Sequence, residues 1–382
     1  MPINILVAAP VRQEPAVLRA FLKALQWQQL PDGVQVDYAF VHDGDEQQRD
    51  ILRSINPIAV LAPGARNADQ VYNVGSDTHN WSVPTFERLA INKQKLISLA
   101  LDRAEQARFD IQHDYDYIWF VDSDLICDPT TLQSLLFAQC DIVNGVFWTE
   151  WQRGSGAPQP QTWMKHPYGQ EGLGQSQQTT LDNLSHRGVM RVAGGGACHL
   201  CSVAALKAGV GYHPRIDGLP DVGMWQGEDR TFALKAEQQH VKQYADGWPD
   251  IFHAYHREQR TAEVLEEVLV ELGAPRQERA KYGDLVSLRL TPLEDAALQD
   301  GLFPEAANCR GRLGQLKLAP ELEQFVRDSK VGSEGIVDVA FPWYHTVAGY
   351  AGRTKAIKVE FVDAKPWGYA PVLAEHLFRS LT

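Results

Sequence analysis

The sequence of 382 residues predicts an α/β fold, with a mostly parallel sheet and helices on both of its faces. Two observations carry this prediction: apolar runs of strand length recur through the first half of the chain, and segments with apolar residues at helical spacing separate them. Strands joined by helices favour parallel pairing, because the connecting segment must cross over the sheet. A composition with 44% hydrophobic and 22% charged residues supports a packed core and excludes a disordered chain.

The predicted strands of the first half follow one another at short intervals. They are residues 3–9, 34–41, 58–61, 117–121 and 141–146. We expect Pro10 to end the first strand and Pro15 to start the helix after it, since proline suits the first turn of a helix. Apolar residues three and four apart predict a long helix over residues 86–107. The later elements are a strand at 189–193, a helix at 227–238 and a strand at 241–245.

Two changes of pattern indicate how the chain is organised. Residues 149–187 lose all periodicity and are rich in Gly, Gln, Pro and Ser, yet strand and helix signals resume after them. We interpret this stretch as a functional loop rather than a linker. The pattern changes again after His256. We therefore expect an α/β domain over residues 1–256 and a C-terminal extension or small domain of unknown role over residues 257–382.

Charge and cysteine content narrow the classes of partner and compartment. A net charge of -12 argues against a nucleic-acid partner, because phosphate neutralisation needs clustered Lys and Arg. A locally basic groove would still allow such a partner. Five irregularly spaced cysteines form no disulfide framework. No apolar run reaches the roughly 20 residues that span a bilayer, and the N-terminus lacks the basic stretch of a signal peptide. We expect a cytoplasmic protein with no transmembrane segment.

The strongest chemical signal is a pair of acids that follows the fourth strand. Asp122 and Asp124 flank Ser123 directly after an aromatic-rich apolar run. Ligands of open α/β sheets bind beyond the carboxyl ends of the strands. Mg²⁺ and Mn²⁺ commonly take one or two carboxylates together with substrate phosphate oxygens. A solvated turn at a strand end could use the same residues, but the position after a buried strand favours binding of a metal and a diphosphate.

These residues resemble the glycosyltransferases of GT-A fold, in which a strand ending in Asp-x-Asp binds a metal ion and the diphosphate of a nucleotide sugar. The similarity extends to bacterial family-two-like enzymes, β-galactosyltransferases and fungal mannan-polymerase subunits, and it covers roughly residues 3–256. It implies a GT-A-like, Rossmann-like sheet, Mn²⁺ or Mg²⁺ as cofactor and a UDP- or GDP-sugar as donor. The donor-binding residues it implies are Pro10, Arg12, Glu14, Asp43, Arg88, Asn92, Lys93, Asp122, Ser123 and Asp124.

A second acidic motif, Glu228-Asp229, follows Gly227. The surrounding segment resembles the Trp-Gly-Gly-Glu-Asp segment of β-galactosyltransferases. This resemblance implies that Asp229 is the general base that takes the proton of an acceptor hydroxyl, and that Glu228 contacts the acceptor or sugar. Such a base would give inversion, while the similarity to mannan-polymerase subunits leaves retention open. Acids also favour a helix N-terminus for electrostatic reasons alone.

His253 is the predicted third metal ligand beside Asp122 and Asp124. It follows an apolar pair, and many GT-A enzymes have a histidine ligand near this point, with His256 as the second choice here. An imidazole ligand slightly favours Mn²⁺. A solitary histidine is more often structural, so this prediction depends on the Asp-x-Asp motif.

Glycines and tryptophans supply weaker candidates. Gly195 and Gly196 would let the backbone approach a sugar or phosphate of the donor, with a tight turn as the alternative. Aromatic faces stack on sugar rings, although tryptophans more often anchor cores and loops. The candidate sugar or acceptor platforms are Trp148, Trp151, Trp163 and Trp225.

Two other functions stay open at this point. A sugar-phosphate nucleotidyltransferase also uses acids and a metal, but its Gly-rich basic loop is missing after Ala9. A non-catalytic module that binds a nucleotide or carbohydrate would use the acids only as caps. The sequence does not identify the acceptor, which could be a glycan, a lipid-linked precursor, a protein, a small metabolite or a modified DNA base.

Overall fold

The structure is a computed structural model. It describes residues 2–64, 83–151, 159–163, 189–212, 227–247, 249–273, 285–292, 307–312, 333–340 and 354–365. The chain divides into two compact units. The first comprises Met1–Leu181, Met190–Gly273 and His376–Thr382, and the second comprises Asp182–Val189 and Ala274–Glu375. The predicted end of the α/β domain at residue 256 stays a prediction.

The described elements up to Gly273 alternate between strands and helices along most of the chain. The strands are β1 (Ile3–Val11), β2 (Val34–His42), β3 (Ala59–Leu61), β4 (Tyr117–Val121), β5 (Leu125–Cys127), β6 (Ile142–Gly145), β7 (Trp148–Thr149), β8 (Gln159–Pro160), β9 (Thr162–Trp163), β10 (Val189–Val192), β11 (Gly194–Gly195), β12 (Cys198–Ser202), β13 (Gln243–Asp246) and β14 (Ile251–His253). The helices are α1 (Pro15–Gln26), α2 (Glu46–Arg53), α3 (Val83–Leu101), α4 (Arg103–Ala107), α5 (Thr131–Phe137), α6 (Val203–Lys207), α7 (Glu228–Gln238) and α8 (Ala262–Leu272), with a 3₁₀ helix at Arg257–Arg260.

An eight-stranded sheet organises the first unit, in the order β10-β13-β6-β12-β4-β1-β2-β3. β1 pairs in parallel with both β2 and β4, β2 pairs in parallel with β3, and β6 pairs in parallel with β13. β12 runs antiparallel between β4 and β6. This topology confirms the predicted α/β class with a mostly parallel sheet, and all five strands predicted in the first half of the chain are present.

Two predicted boundaries are wrong for local reasons. β1 continues through Pro10 to Val11, because its ladder to β4 ends at Ala8 and leaves Pro10 paired with β2 alone. The long helix predicted over residues 86–107 is two helices, α3 and α4. Asp102 between them has extended backbone, and its side chain accepts a hydrogen bond from the backbone N–H of Ala104 at 2.8 Å, so it starts a new helix.

The core lies where α3 packs against β1 and β2. Ala90, Leu96, Ile97 and Ala100 of α3 are buried in one cluster with apolar residues of the central strands. Lys93 lies on the same buried stripe of the helix, three residues after Ala90 and four before Ile97, and it is completely buried. The fold therefore carries an ammonium group into the interior beside the end of β4.

The second unit contains a four-stranded antiparallel sheet in its described part, in the order β16-β15-β18-β17. Its strands are β15 (Leu285–Pro292), β16 (Ala307–Arg312), β17 (Glu334–Ala340) and β18 (Thr354–Lys365). The register between β15 and β18 shifts at Ser287–Leu288. Within the described ranges of either unit, no helix has the length and hydropathy needed to cross a membrane.

Candidate active site

The Asp-x-Asp motif forms a fixed turn at the carboxyl end of β4. The backbone N–H of Asp122 donates to the carbonyl of Ala197 at 2.7 Å, and the N–H of Leu125 donates to the carbonyl of Asp122 at 3.1 Å. The N–H of Ala254 donates to the carbonyl of Asp124 at 2.9 Å. A hydrogen bond within the turn and two to the backbone of Ala197 and Ala254 therefore hold the two acids, and the motif lies at the sheet edge where open α/β folds bind ligands.

Lys93 joins the two acidic motifs, which are the Asp-x-Asp turn and the Glu228-Asp229 pair. Its Nζ lies 3.2 Å from Oδ1 of Asp122 and 3.1 Å from both Oε1 of Glu228 and Oδ1 of Asp229. These side chains come from α3, the end of β4 and the start of α7, so three elements meet at one ammonium group. We call Lys93, Asp122, Glu228 and Asp229 the lysine–carboxylate cluster.

The cluster has an exposed side and a buried side. The side chains of Asp122 and Asp229 are 19% and 23% exposed. Lys93 is fully buried and Glu228 is 4% exposed. Solvent or a substrate can therefore reach the two aspartates, while the lysine lies behind them.

Burial and mutual proximity shift the proton affinities in this cluster. Burial raises the pKa of Asp122 to about 7, even though Lys93 acts to lower it. Burial, with Asp229 beside it, raises the pKa of Glu228 to about 8. Burial alone would lower the pKa of Lys93, but the surrounding carboxylates raise it well above its ordinary range. One ammonium group among three carboxylates thus favours a bound proton on Glu228 at neutral pH.

Asp124 has a different partner, although it lies only two residues after Asp122. Its Oδ2 is 3.3 Å from Nε2 of His253, and Nδ1 of His253 shares a hydrogen bond with Oγ1 of Thr149 at 2.8 Å. The two meet because β14 pairs antiparallel with β5, with His253 opposite Leu125. We call Asp124 and His253 the carboxylate–imidazole pair.

The carboxylate–imidazole pair fits Mn²⁺ or Mg²⁺ when a substrate supplies further oxygen ligands. A carboxylate oxygen and an imidazole nitrogen are suitable donors, and the hydrogen bond to Thr149 orients the ring in the way that the outer contacts of metal-binding histidines do. In the ranges that the structure describes, no group of three or more His, Cys, Asp or Glu side chains is placed to hold a metal ion. Asp122, the other carboxylate predicted as a metal ligand, is paired with Lys93.

Two arginines at the predicted nucleotide-binding edge lie next to the carboxylate of Asp43. Nη1 of Arg88 lies 3.0 Å from Oδ2 of Asp43, and Nη1 of Arg12 lies 3.7 Å from the same oxygen. Asp43 follows β2 and Arg12 follows β1, so both lie at the edge that also carries the Asp-x-Asp motif. Their assignment to donor binding stays a prediction.

Three other predicted donor contacts are engaged within the protein. Oδ1 of Asn92 accepts a hydrogen bond from the backbone N–H of Gly64 at 2.9 Å. Oε1 of Glu14 lies 3.8 Å from Nη1 of Arg260. Ser123 is buried in the turn between the two aspartates. These contacts give Asn92 and Glu14 roles in shaping the edge, whatever they contribute to the donor.

The glycine segment has a packing role that the sequence did not indicate. A Cβ atom at Gly196 would overlap Oδ2 of Asp229, and one at Gly195 would lie 2.6 Å from Cγ of Asn144. Both glycines are buried. Each therefore makes room for a neighbouring side chain, and contact of either one with the donor stays a prediction.

The predicted aromatic platforms differ in their surroundings. Trp151 is 44% exposed and its ring stands edge-on to Tyr255, with centroids 5.5 Å apart. Trp148 is half-buried in β7. The guanidinium of Arg230, in the first turn of α7, lies 5.2 Å from the ring centroid of Trp163. Trp225 lies outside the described residues.

Sequence reasoning missed the residues that support the site from behind. Tyr212 places its ring 5.1 Å from Nζ of Lys93 and donates or accepts a hydrogen bond with Nε2 of His199 at 3.1 Å. Thr149 orients His253. Lys93 itself was predicted as a donor-binding residue, and its core position on the α3 stripe was the available signal for its burial. For Tyr212 and Thr149 no sequence pattern marks the role.

Comparison with known proteins gives only distant similarities. No protein-family model matches the chain, and no curated protein matches it. TarS of S. aureus matches with 14% identity and a TM-score of 0.37 over 73% of this chain, which is 41% of TarS. Residues 1–349 of TarS in complex with UDP match with 15% identity and a TM-score of 0.38, over 72% of this chain and 67% of that one.

A third similarity is to the catalytic domain of Drosophila beta1,4-galactosyltransferase 7 in complex with xylobiose. It has 12% identity and a TM-score of 0.32, over 68% of this chain and 74% of that one. At these TM-scores the similarities determine neither the activity nor the ligands of this protein. The α/β architecture is instead evident from the chain's own mostly parallel sheet, and the Asp-x-Asp turn lies at the carboxyl edge of that sheet.

Proposed function

We propose that the protein is a metal-assisted glycosyltransferase that moves a sugar from a nucleotide-diphosphate donor to an acceptor hydroxyl. The observation that carries this proposal is the meeting of two acidic motifs at one sheet edge. Asp122 and Asp229, which are more than 100 positions apart in sequence, both contact Nζ of Lys93 and are both partly exposed. A donor-binding acid and a proton acceptor therefore lie close enough to serve one reaction.

The carboxylate–imidazole pair would hold Mn²⁺ or Mg²⁺ together with the diphosphate of a UDP- or GDP-sugar. The metal would neutralise the charge that develops on the departing diphosphate. Arg12 and Arg88, gathered on Asp43 at the same edge, would contribute positive charge toward the nucleotide. This assignment moves the metal away from Asp122 and toward Asp124 and His253.

Asp229 would act as general base toward the acceptor hydroxyl, which gives an inverting transfer. Its carboxylate is partly exposed, whereas Glu228 beside it is nearly buried and bonded to Lys93. A base must reach the proton that it removes, so the exposed member of the pair is the better candidate. Glu228 would support the base rather than contact the sugar. We retain the cytoplasmic location as part of this proposal.

A nucleotide-sugar panel with Mn²⁺ tests the proposal. We expect release of UDP or GDP from one activated sugar, loss of this release in Asp124→Asn, and retention in Asp50→Asn, which removes a matched carboxylate on the exposed face of α2. Absence of release from every activated sugar would contradict the proposal. Formation of a nucleotide sugar from a nucleoside triphosphate and a sugar phosphate would instead identify a nucleotidyltransferase.

A further inference from the structure

We infer that Lys93 is a positioning residue that holds the base Asp229 and the donor-side acid Asp122 at a fixed separation. The inference rests on the proposed function. Its geometric basis is one Nζ within 3.2 Å of Asp122 and 3.1 Å of Asp229, each on a different element. Because each aspartate is tied to the same atom, neither can move away from the other without losing an ion pair.

The burial of Lys93 favours an indirect role over the donor contact that the resemblance implied for it. The side chain has no exposed surface, and the ring of Tyr212 covers it at 5.1 Å. An ammonium group in this position cannot reach a nucleotide or a sugar. Its influence on a reaction must therefore pass through the two aspartates in front of it.

The backbone of Lys93 is itself held firmly. Ala90 and Ile97, one turn to either side on α3, are packed in the core cluster. Asn92 is bonded to the backbone of Gly64. The ammonium group is thus presented from a rigid helix, which is the arrangement that a precise site needs.

Stability alone does not explain a lysine at this point. Replacing a buried ionic cluster with well-packed apolar side chains is often neutral or stabilising. Glu228 provides a way to separate the contribution of Lys93 to stability from its positioning of the two aspartates. It pairs with Lys93 from the buried side and is not one of the exposed acids. At pH 9, above the pKa of about 8 of Glu228, Lys93→Met combined with Glu228→Gln removes one positive and one negative charge, so the net charge of the cluster is unchanged while the bridge between the aspartates is lost.

The test compares Lys93→Met, Glu228→Gln and the double variant with the wild-type protein. Melting temperature, nucleotide affinity by calorimetry with Mn²⁺, and kcat and KM for sugar transfer are measured for each at pH 9, where Glu228 is ionised. We expect the double variant to recover the melting temperature lost in Lys93→Met. We expect its kcat to stay about 100-fold below wild type, the lower end of the range for a general-base contribution, with nucleotide affinity retained.

Lys95→Met is the matched control on the same helix. Nζ of Lys95 bonds only the backbone carbonyls of Ala62 and Pro63 in the described structure, so we expect its kcat to match wild type. A double variant that regains both stability and wild-type kcat would overturn the inference while leaving the proposed function in place. Absence of transfer in the wild-type protein would overturn both.

Discussion

The two aspartates of the Asp-x-Asp motif lie in contrasting surroundings. Asp122 faces a cation that the protein supplies, the buried ammonium of Lys93. Asp124 faces the imidazole of His253, which can share a cation from outside. Residues two apart in a strand point to the same side, but β4 ends at Val121 and the turn that follows separates them. One motif therefore divides into an acid that is already neutralised and an acid that is suited to a metal.

Removing the internal cation should produce the largest effect on stability. At pH 9, where Glu228 is ionised, Lys93→Met leaves the buried Glu228 and the partly buried Asp122 without their counter-ion, and breaking a buried ion pair in this way costs about 3–5 kcal/mol of unfolding free energy. Chemical denaturation measures the change. His253→Ala, which alters the carboxylate–imidazole pair, should cost less unfolding free energy. Equal losses would show that the protein does not depend more on the lysine–carboxylate cluster for stability.

For metal-assisted nucleotide binding, we expect the larger effect on the Asp124 side of the motif. Asp124→Asn removes an oxygen donor next to His253 and should weaken Mn²⁺-assisted nucleotide binding by at least about 10-fold. Asp122→Asn should weaken it much less, because that carboxylate is engaged by Lys93. Calorimetry with and without EDTA measures both. Equal losses would restore the original prediction that both acids bind the metal.

The raised pKa of Glu228 in the lysine–carboxylate cluster should make the stability of the protein depend on pH. The pKa of Glu228 is raised from 4.5 to about 8 by burial and by Asp229, so the folded state holds a proton that the unfolded state releases. Stability from this group is complete below pH 4.5 and falls as the pH rises through about 8. One proton changes the unfolding free energy by up to about 1.4 kcal/mol per pH unit.

Glu228→Gln should remove this fall, so the variant gains stability over wild type as the pH rises from 5 to 8.5. Glu266→Gln, an exposed glutamate on α8, should leave the wild-type profile unchanged. Denaturation curves across this pH range provide the measurement. Parallel profiles for wild type and Glu228→Gln would show that the carboxyl is ionised throughout.

The sheet was predictable from sequence because long apolar runs mark its strands directly. The position of Asp122 and Asp124 at a strand end followed from the same pattern. The role of Lys93 did not, because lysines are rarely buried unless paired, and its partners Glu228 and Asp229 are more than 130 positions away. The four-stranded sheet of the second unit was also missed, since strands such as Ala307–Arg312 carry little apolar alternation.

The smallest expected effect concerns the backbone that supports each aspartate. Ala197, whose carbonyl accepts from the N–H of Asp122, has a φ of +62°, where a side chain is unfavourable. Ala254, whose N–H donates to Asp124, is buried and is not among the residues with positive φ in the described structure.

Ala197→Gly should therefore stabilise the protein by about 0.5–1 kcal/mol, because glycine accepts that φ without strain. Ala254→Gly should destabilise it by at least a similar amount, since glycine there loses more conformational entropy on folding and removes a buried methyl group. Paired thermal and urea denaturation measures the difference. If both variants lose stability equally, the backbone on the Asp122 side is not strained, and the contrast between the two halves of the motif is confined to their side chains.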